Sequence, residues 1–170
     1  MALAVTHIIL TIAFLDLFRH YVFGLKKFPR YLLVIGGIAG LAPDLDVPLG
    51  WILTFLAGNP VNIHGLFTHS LFFALVFAII GVVLQYYKNI KWARIFYVIA
   101  VGWMVHIFLD CLYGADYGMG SLKLFFWPLQ IQPTFCPSWN LYPYAHSTEA
   151  IILVLWLVHE EIHQKIKCYF

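Results

Sequence analysis

Apolar residues run nearly unbroken through four stretches, Leu3–Phe23, Leu66–Tyr87, Ala93–Tyr113 and Ser147–Ile166. Each approaches the ~20 apolar residues that a helix needs to cross a bilayer, so each is predicted to be a transmembrane helix. A fifth run, Tyr31–Leu41, is shorter and carries Gly36, Gly37 and Gly40 ahead of Pro43. Small residues let helix backbones approach closely in lipid, which predicts a short span packed tightly on its neighbours. After it, Val47–Ile63 contains Pro48, Gly50, Gly58 and Pro60, a density of breakers that predicts a loop with at most one interfacial turn of helix. Residues 114–145 combine Gly114, Gly118 and Gly120 with four prolines and many aromatics, as suits backbone lying at the headgroup level. Residues 1–170 therefore read as a single integral membrane domain, an all-α polytopic helix bundle with about five transmembrane helices.

Composition agrees with this pattern. The chain is 62% hydrophobic and 11% charged, against the roughly 25% charged residues of soluble domains. Its net charge of +2 offers no basic surface for DNA or RNA, so a nucleic-acid partner is excluded from the expectations. Cys111, Cys136 and Cys168 show neither a paired framework nor C-x-x-C spacing. The first apolar run lacks a basic segment before it and carries His7, Asp16 and Arg19, which predicts a retained helix rather than a signal peptide.

The positive charges add orientation. With five crossings, Arg19, Lys26, Lys27, Arg30, Lys88, Lys91, Arg94, Lys165 and Lys167 fall on one side, and of the ten basic residues only Lys123 does not. Cytoplasmic loops are enriched in Lys and Arg, so the N-terminus is expected outside and the C-terminus in the cytoplasm. A re-entrant Tyr31–Leu41 would push the Lys88–Arg94 loop outside, against this bias.

The polar residues inside the apolar runs carry the chemistry. An Asp at the centre of a membrane helix costs roughly 2.5–3.5 kcal/mol on insertion scales, so such residues face a partner, a cavity or a metal. On the topology above, His7, Asp44, Asp46, His64, His69, His106 and Asp110 all come to the outer side from four separate elements. His106 and Asp110 are four apart in "HIFLD" and project from one helix face. Asp44 and Asp46 flank a single residue in the Pro-bounded "APDLDVP". His64 and His69 are five apart, about 140° on a continuous helix, so His64 is expected in the loop before it. Thr6 and Thr68 each precede a candidate ligand and Ser70 follows one, placing hydroxyls where they can support the imidazoles by hydrogen bonding. More than four His and Asp ligands suit two divalent ions, Zn²⁺ or Mn²⁺, better than one.

The strings "GGIAGLAPDLD", "HGLFTHSL", "GWMVHIFLD" and "LFFWPL", with His7 upstream, resemble the membrane-bound metal-dependent hydrolase family typified by YdjM. That pattern runs from an N-terminal Thr-His through Pro-Asp-x-Asp and His-Arg-x-x-Thr-His-Ser to His-x-x-x-Asp and a Pro-containing segment, matching residues 6–129 here. Gly65 stands where the family usually has Arg, which leaves Lys123 as the candidate substrate-binding cation. The stretch from Gly114 to Ser121 is also longer than the usual connection. A looser similarity, in the order His, Asp, His, His-x-x-x-Asp, links the chain to the zinc-dependent phospholipase C and nuclease P1 group. That similarity implies phosphoester cleavage, with His146 and Glu149 as counterparts of the group's downstream ligands.

Together these readings predict a metal-dependent hydrolase acting on a phosphoester of a lipid headgroup at the non-cytoplasmic interface. One ion is assigned to Asp44, His69, His106 and Asp110, and a second to His7, His64 and a bridging Asp110. Asp46 is the candidate general base or a further ligand. Two alternatives compete with this reading. His159-Glu160-Glu161-Ile162-His163 fits H-E-x-x-H, the zinc-binding string of metalloproteases. It is predicted near the cytoplasmic face without a third ligand nearby, its closest candidates being His20 and Asp16 at the inner end of the first helix. A non-enzymatic ion or proton path, or a scaffold, would instead spread charges through the bilayer, and Asp16 with Arg19 one turn away is the deep pair that fits it.

Overall fold

A computed structural model describes residues 4–65, 67–112, 126–129 and 145–164. All regular structure among them is helical: α1 (Ala4–Phe18, extended by a π turn over Arg19–Phe23), α2 (Tyr31–Leu41), α3 (Asp46–Ala57), α4 (Leu71–Tyr86), α5 (Ile90–Leu112) and α6 (Ala145–Gln164). Ala4–Phe23, Tyr31–Ala57 and Ile90–Leu112 are long and apolar enough to cross a membrane, and α4 is a shorter apolar helix. Large apolar side chains are exposed along these helices, Phe14, Val34, Leu75, Ile79, Phe108 and Leu155 among them. A bundle with an apolar exterior is one whose solvent is lipid.

The packing register shows which way each helix runs. Gly36 faces Leu15 and Gly40 faces Thr11 and the His7 carbonyl, so α2 is antiparallel to α1. Gly36 and Gly40 meet Val98 and His106 respectively, so α5 runs parallel to α2. Phe73 stacks on Trp103 while Gly81 abuts Tyr97, so α4 is antiparallel to α5. Thr6 bonds to Glu149 and Asp16 to Trp156, which makes α6 parallel to α1. Directions therefore alternate along α1, α2, α4, α5 and α6, as five passes require. Every Lys and Arg among the described residues lies at the end of the bundle away from His7, Asp44 and Asp110.

Two boundaries depart from the sequence reading. Val47–Ile63 is not a loop, because Asp46–Ala57 forms a three-turn helix joined to α2 by a 3-10 turn over Ala42–Leu45. Pro43 and Pro48 fall in the first turns of those two elements, where the amide hydrogen that proline lacks has no helical acceptor to lose. The helix stops at Gly58, which takes φ +67° and donates its N–H to the Thr54 carbonyl. The returning strand of chain packs back on α3, with the Val61 N–H donating to the Thr54 hydroxyl at 2.9 Å. The fourth helix begins at Leu71 rather than Leu66, preceded by a 3-10 turn over Phe67–His69.

The small residues of α2 let α1 and α5 close on it. A Cβ added at Gly102 would sit 2.7 Å from the Gly36 carbonyl oxygen and 3.0 Å from the Gly40 nitrogen, both backbone atoms that cannot turn aside. Gly102→Ala is therefore expected to force α2 and α5 apart and destabilise the bundle by about 1–3 kcal/mol. Because Asp44 and His106 ride on these two rods, the affinity for any metal they hold should fall with it. Thermal melts in detergent beside metal analysis check both effects.

Candidate metal centre

The seven polar residues expected on the outer side come together at one end of the bundle. His7 lies in the first turns of α1 and is fully buried. Asp44 belongs to the 3-10 turn after α2, and Asp46 opens α3. His64 lies in the returning loop, as its spacing from His69 predicts, and His69 ends the 3-10 turn before α4. His106 and Asp110 lie on one face of the last turns of α5, with His106 Nε2 3.3 Å from Asp110 Oδ2.

Four of these groups adjoin one another around the His69–His106 pair. His69 Nε2 and His106 Nε2 are 3.2 Å apart. Asp44 Oδ1 lies 3.5 Å from the first and 3.6 Å from the second. Asp110 Oδ2 lies 3.6 Å from His69 Nε2. A tetrahedron of ligands with bonds of ~2.0–2.1 Å has edges of ~3.3–3.4 Å, close to every one of these separations.

The hydrogen bonds around the imidazoles set their lone pairs. His106 donates from Nδ1 to the Gly40 carbonyl at 2.7 Å, which leaves Nε2 as the acceptor atom facing His69. His64 donates from Nδ1 to Asp46 Oδ1 at 2.7 Å. His69 Nδ1 lies 3.1 Å from the Thr68 hydroxyl, and that hydroxyl donates to Asp46 Oδ2 at 2.8 Å. Three imidazoles thus hold their protons on the outward nitrogen and present Nε2, the arrangement by which partners orient metal-binding histidines. Trp103 secures the loop by donating from Nε1 to the Thr68 carbonyl at 2.9 Å.

Asp46, the candidate general base or further ligand, sits among hydrogen-bond donors. Both of its oxygens take donors, from His64, the Gly65 amide at 3.0 Å and Thr68, and the residue is buried. A carboxylate so bonded orients His64 directly and His69 by way of Thr68. Gly65 supports it from a backbone with φ +75°, a conformation that costs glycine little. Asp46→Asn should retain the fold yet lower metal affinity ~10–100-fold, the usual effect of removing an orienting partner. Titration against a competing chelator measures it.

His7 and His64 do not share one pocket. His7 groups with His106 and Asp110, and His64 with Asp44 and His69, the ligand atoms within each group lying within 4.8 Å of one another. The His7 ring stacks on His106 with centroids 3.8 Å apart, and its Nε2 lies 3.5 Å from Asp110 Oδ1. Several buried atoms here have no hydrogen-bond partner among the described residues: both ring nitrogens of His7, His64 Nε2, Asp44 Oδ1 and Asp110 Oδ1. Orphaned buried polar atoms are costly, and cations placed among them would satisfy these. The donor set of imidazole nitrogens and carboxylate oxygens fits Zn²⁺ or Mn²⁺.

The supporting hydroxyls and the remaining candidates divide by position. Thr6 is fully buried and its hydroxyl bonds to Glu149 of α6, bringing a fourth carboxylate beside His7. Sequence reasoning undervalued Glu149 because no spacing rule links residues 143 positions apart. Ser70 is fully buried directly before α4. Lys123 and the His146 side chain lie outside the described residues. Cys111, which carries no pairing signal in the sequence, is disulfide-bonded.

At the other end of the bundle, His159 and Glu160 do find partners. They group with Asp16 and His20, the four ligand atoms lying within 4.8 Å of one another, which corrects the expectation that no third ligand is near. The His163 side chain lies outside the described residues. The deep pair is also formed, with Arg19 Nη1 3.1 Å from Asp16 Oδ1.

The sequence profile of a family described as YdjM inner membrane protein matches residues 1–166. No curated protein and no solved structure matches the chain.

Proposed function

The chain belongs to the YdjM inner membrane protein family, and from that premise we propose that it is a metal-dependent hydrolase whose substrate is a phosphoester of a lipid headgroup. The observation that carries the reading is the pair of imidazole Nε2 atoms of His69 and His106, 3.2 Å apart and flanked by two aspartates. With their Nδ1 protons held elsewhere, the two lone pairs oppose each other, and the carboxylates add negative charge. A cation resolves both conflicts. Asp44, His69, His106 and Asp110 would hold one divalent ion, and His7 and His64 extend the donor set to either side.

Divalent ions bound there would activate water as a nucleophile and stabilise charge on a phosphoryl group. The chain's own residues prepare that chemistry. Asp46 and Thr68 fix the tautomers of His64 and His69, and the Gly40 carbonyl fixes that of His106. Thr6 and Glu149 close the His7 side, keeping α6 against α1. The Trp127 ring packs edge-on against Phe72 at 4.9 Å, next to the start of α4, an aromatic position typical of the headgroup region.

Two observations support a non-cytoplasmic orientation for this end of the bundle. The described Lys and Arg all gather at the opposite end, in keeping with positive charge on the cytoplasmic side. Cys111, beside Asp110, is disulfide-bonded, and disulfides persist in oxidising compartments.

The test is headgroup or phosphate release from a panel of phospholipids and isoprenoid phosphates, using purified protein loaded with Zn²⁺ or Mn²⁺. Release that requires the metal and vanishes in Asp110→Ala supports the reading. Metal-loaded protein inert on the whole panel, or release unchanged in Asp110→Ala, overturns it.

A further inference from the structure

We propose that Asp16, His20, His159 and Glu160 form a second divalent-cation site, independent of the outer cluster, which clips the inner end of α6 to α1. The four side chains come from two helices that are distant in sequence and parallel in space. Their ligand atoms lie within 4.8 Å of one another. His20 Nε2 lies 4.0 Å from Glu160 Oε1, too far for a hydrogen bond and within reach of a shared ion.

Independent features point to a cation. His20 donates from Nδ1 to the Asp16 backbone carbonyl at 2.9 Å, which leaves Nε2 as the lone-pair nitrogen on the Glu160 side. The same device orients His106 in the outer cluster, by way of the Gly40 carbonyl. Charge gives the second argument. Asp16 is buried and Glu160 largely so, and the Arg19 guanidinium is divided between Asp16 at 3.1 Å and the Phe28 carbonyl at 3.0 Å. A divalent cation there would add positive charge beside both carboxylates. A carboxylate has about four lone-pair sites, so Asp16 can accept from Arg19 and from Trp156 and still ligate.

Two nitrogens and two oxygens suit an ion of the zinc type. The present spread exceeds the ~3.3 Å edge of a zinc tetrahedron, so binding would draw α6 inward against α1. Thr6 and Glu149 already join these helices at the outer end. About 14 residues of α1, or ~21 Å of helix, separate the two fastenings. This is not the metalloprotease arrangement, in which the Glu of H-E-x-x-H faces the reacting water. Here Glu160 faces α1 as one of the ligands.

The full chain in detergent, titrated with Zn²⁺ alone, tests the proposal. His106→Ala/Asp110→Ala, which disables the outer cluster, should retain about one ion per chain and gain thermal stability on adding Zn²⁺. Adding His20→Ala should abolish both the ion and the stabilisation. In the otherwise unaltered chain, His20→Ala and Glu160→Gln should each lower zinc content by about one ion, so the test survives if the outer variant fails to fold. Zinc content unchanged by His20→Ala and Glu160→Gln overturns the proposal, and points to a proton shared between Asp16 and Glu160 instead.

Discussion

His106→Ala is expected to lower the affinity of the outer cluster for its tightest ion by more than about 100-fold and to abolish the proposed metal-dependent hydrolysis. The lower bound follows from the ~10–100-fold effects of removing mere orienting partners. His106 contributes more than an orienting partner. Its Nε2 lies within 3.2–3.6 Å of His69, Asp44 and Asp110, so it belongs to three edges of the ligand set. Its ring also supports His7 by stacking at 3.8 Å. Metal analysis after dialysis against a weak chelator gives the first readout, and phosphate release the second. Retention of full metal content by this variant, with the inner site also removed by His20→Ala, would sink the assignment of the outer cluster.

Chelation should have the second large effect. Metal present at a thousand times its dissociation constant stabilises the state that binds it by about 4 kcal/mol. Removing it also leaves Asp44, Asp46 and Asp110 close together in a buried site. The thermal midpoint should therefore fall on adding a strong chelator and recover with Zn²⁺ or Mn²⁺. Asp44→Asn/Asp110→Asn relieves the repulsion and weakens the site, so its response to chelator should shrink to whatever the inner site contributes. An equal response in that variant would mean that the stabilising metal binds elsewhere.

The two ends of the molecule were legible to different degrees. Apolar runs of span length disclosed the helices at α1, α4, α5 and α6, because lipid demands a continuous apolar surface whatever the tertiary packing. The short Tyr31–Leu41 run could be read as a crossing only through the charge bias of the loops. α3 was hidden by Pro43, Pro48 and Gly50, which count as breakers in sequence but occupy first-turn or close-packed positions in space. The outer site was legible residue by residue, since buried His and Asp in apolar helices are costly enough to require a reason. The role of Asp46 was not, because only the fold brings His64, Gly65 and Thr68 to its two oxygens.

By itself, then, the amino-acid sequence determined that this chain is a helical membrane protein of alternating passes with His and Asp gathered at one level. Those properties follow from hydropathy, helix rise and the placement of charge, all local along the chain. The tertiary structure alone decided which atoms meet: the 3.2 Å approach of His69 and His106, the docking of Glu149 on Thr6, and the partners that Asp16 and His20 provide for His159 and Glu160. Such meetings depend on how closely helices pack and how they rotate about their axes. Residues far apart in the chain, such as Gly36, Gly40 and Gly102, set that geometry jointly, and no local pattern records it.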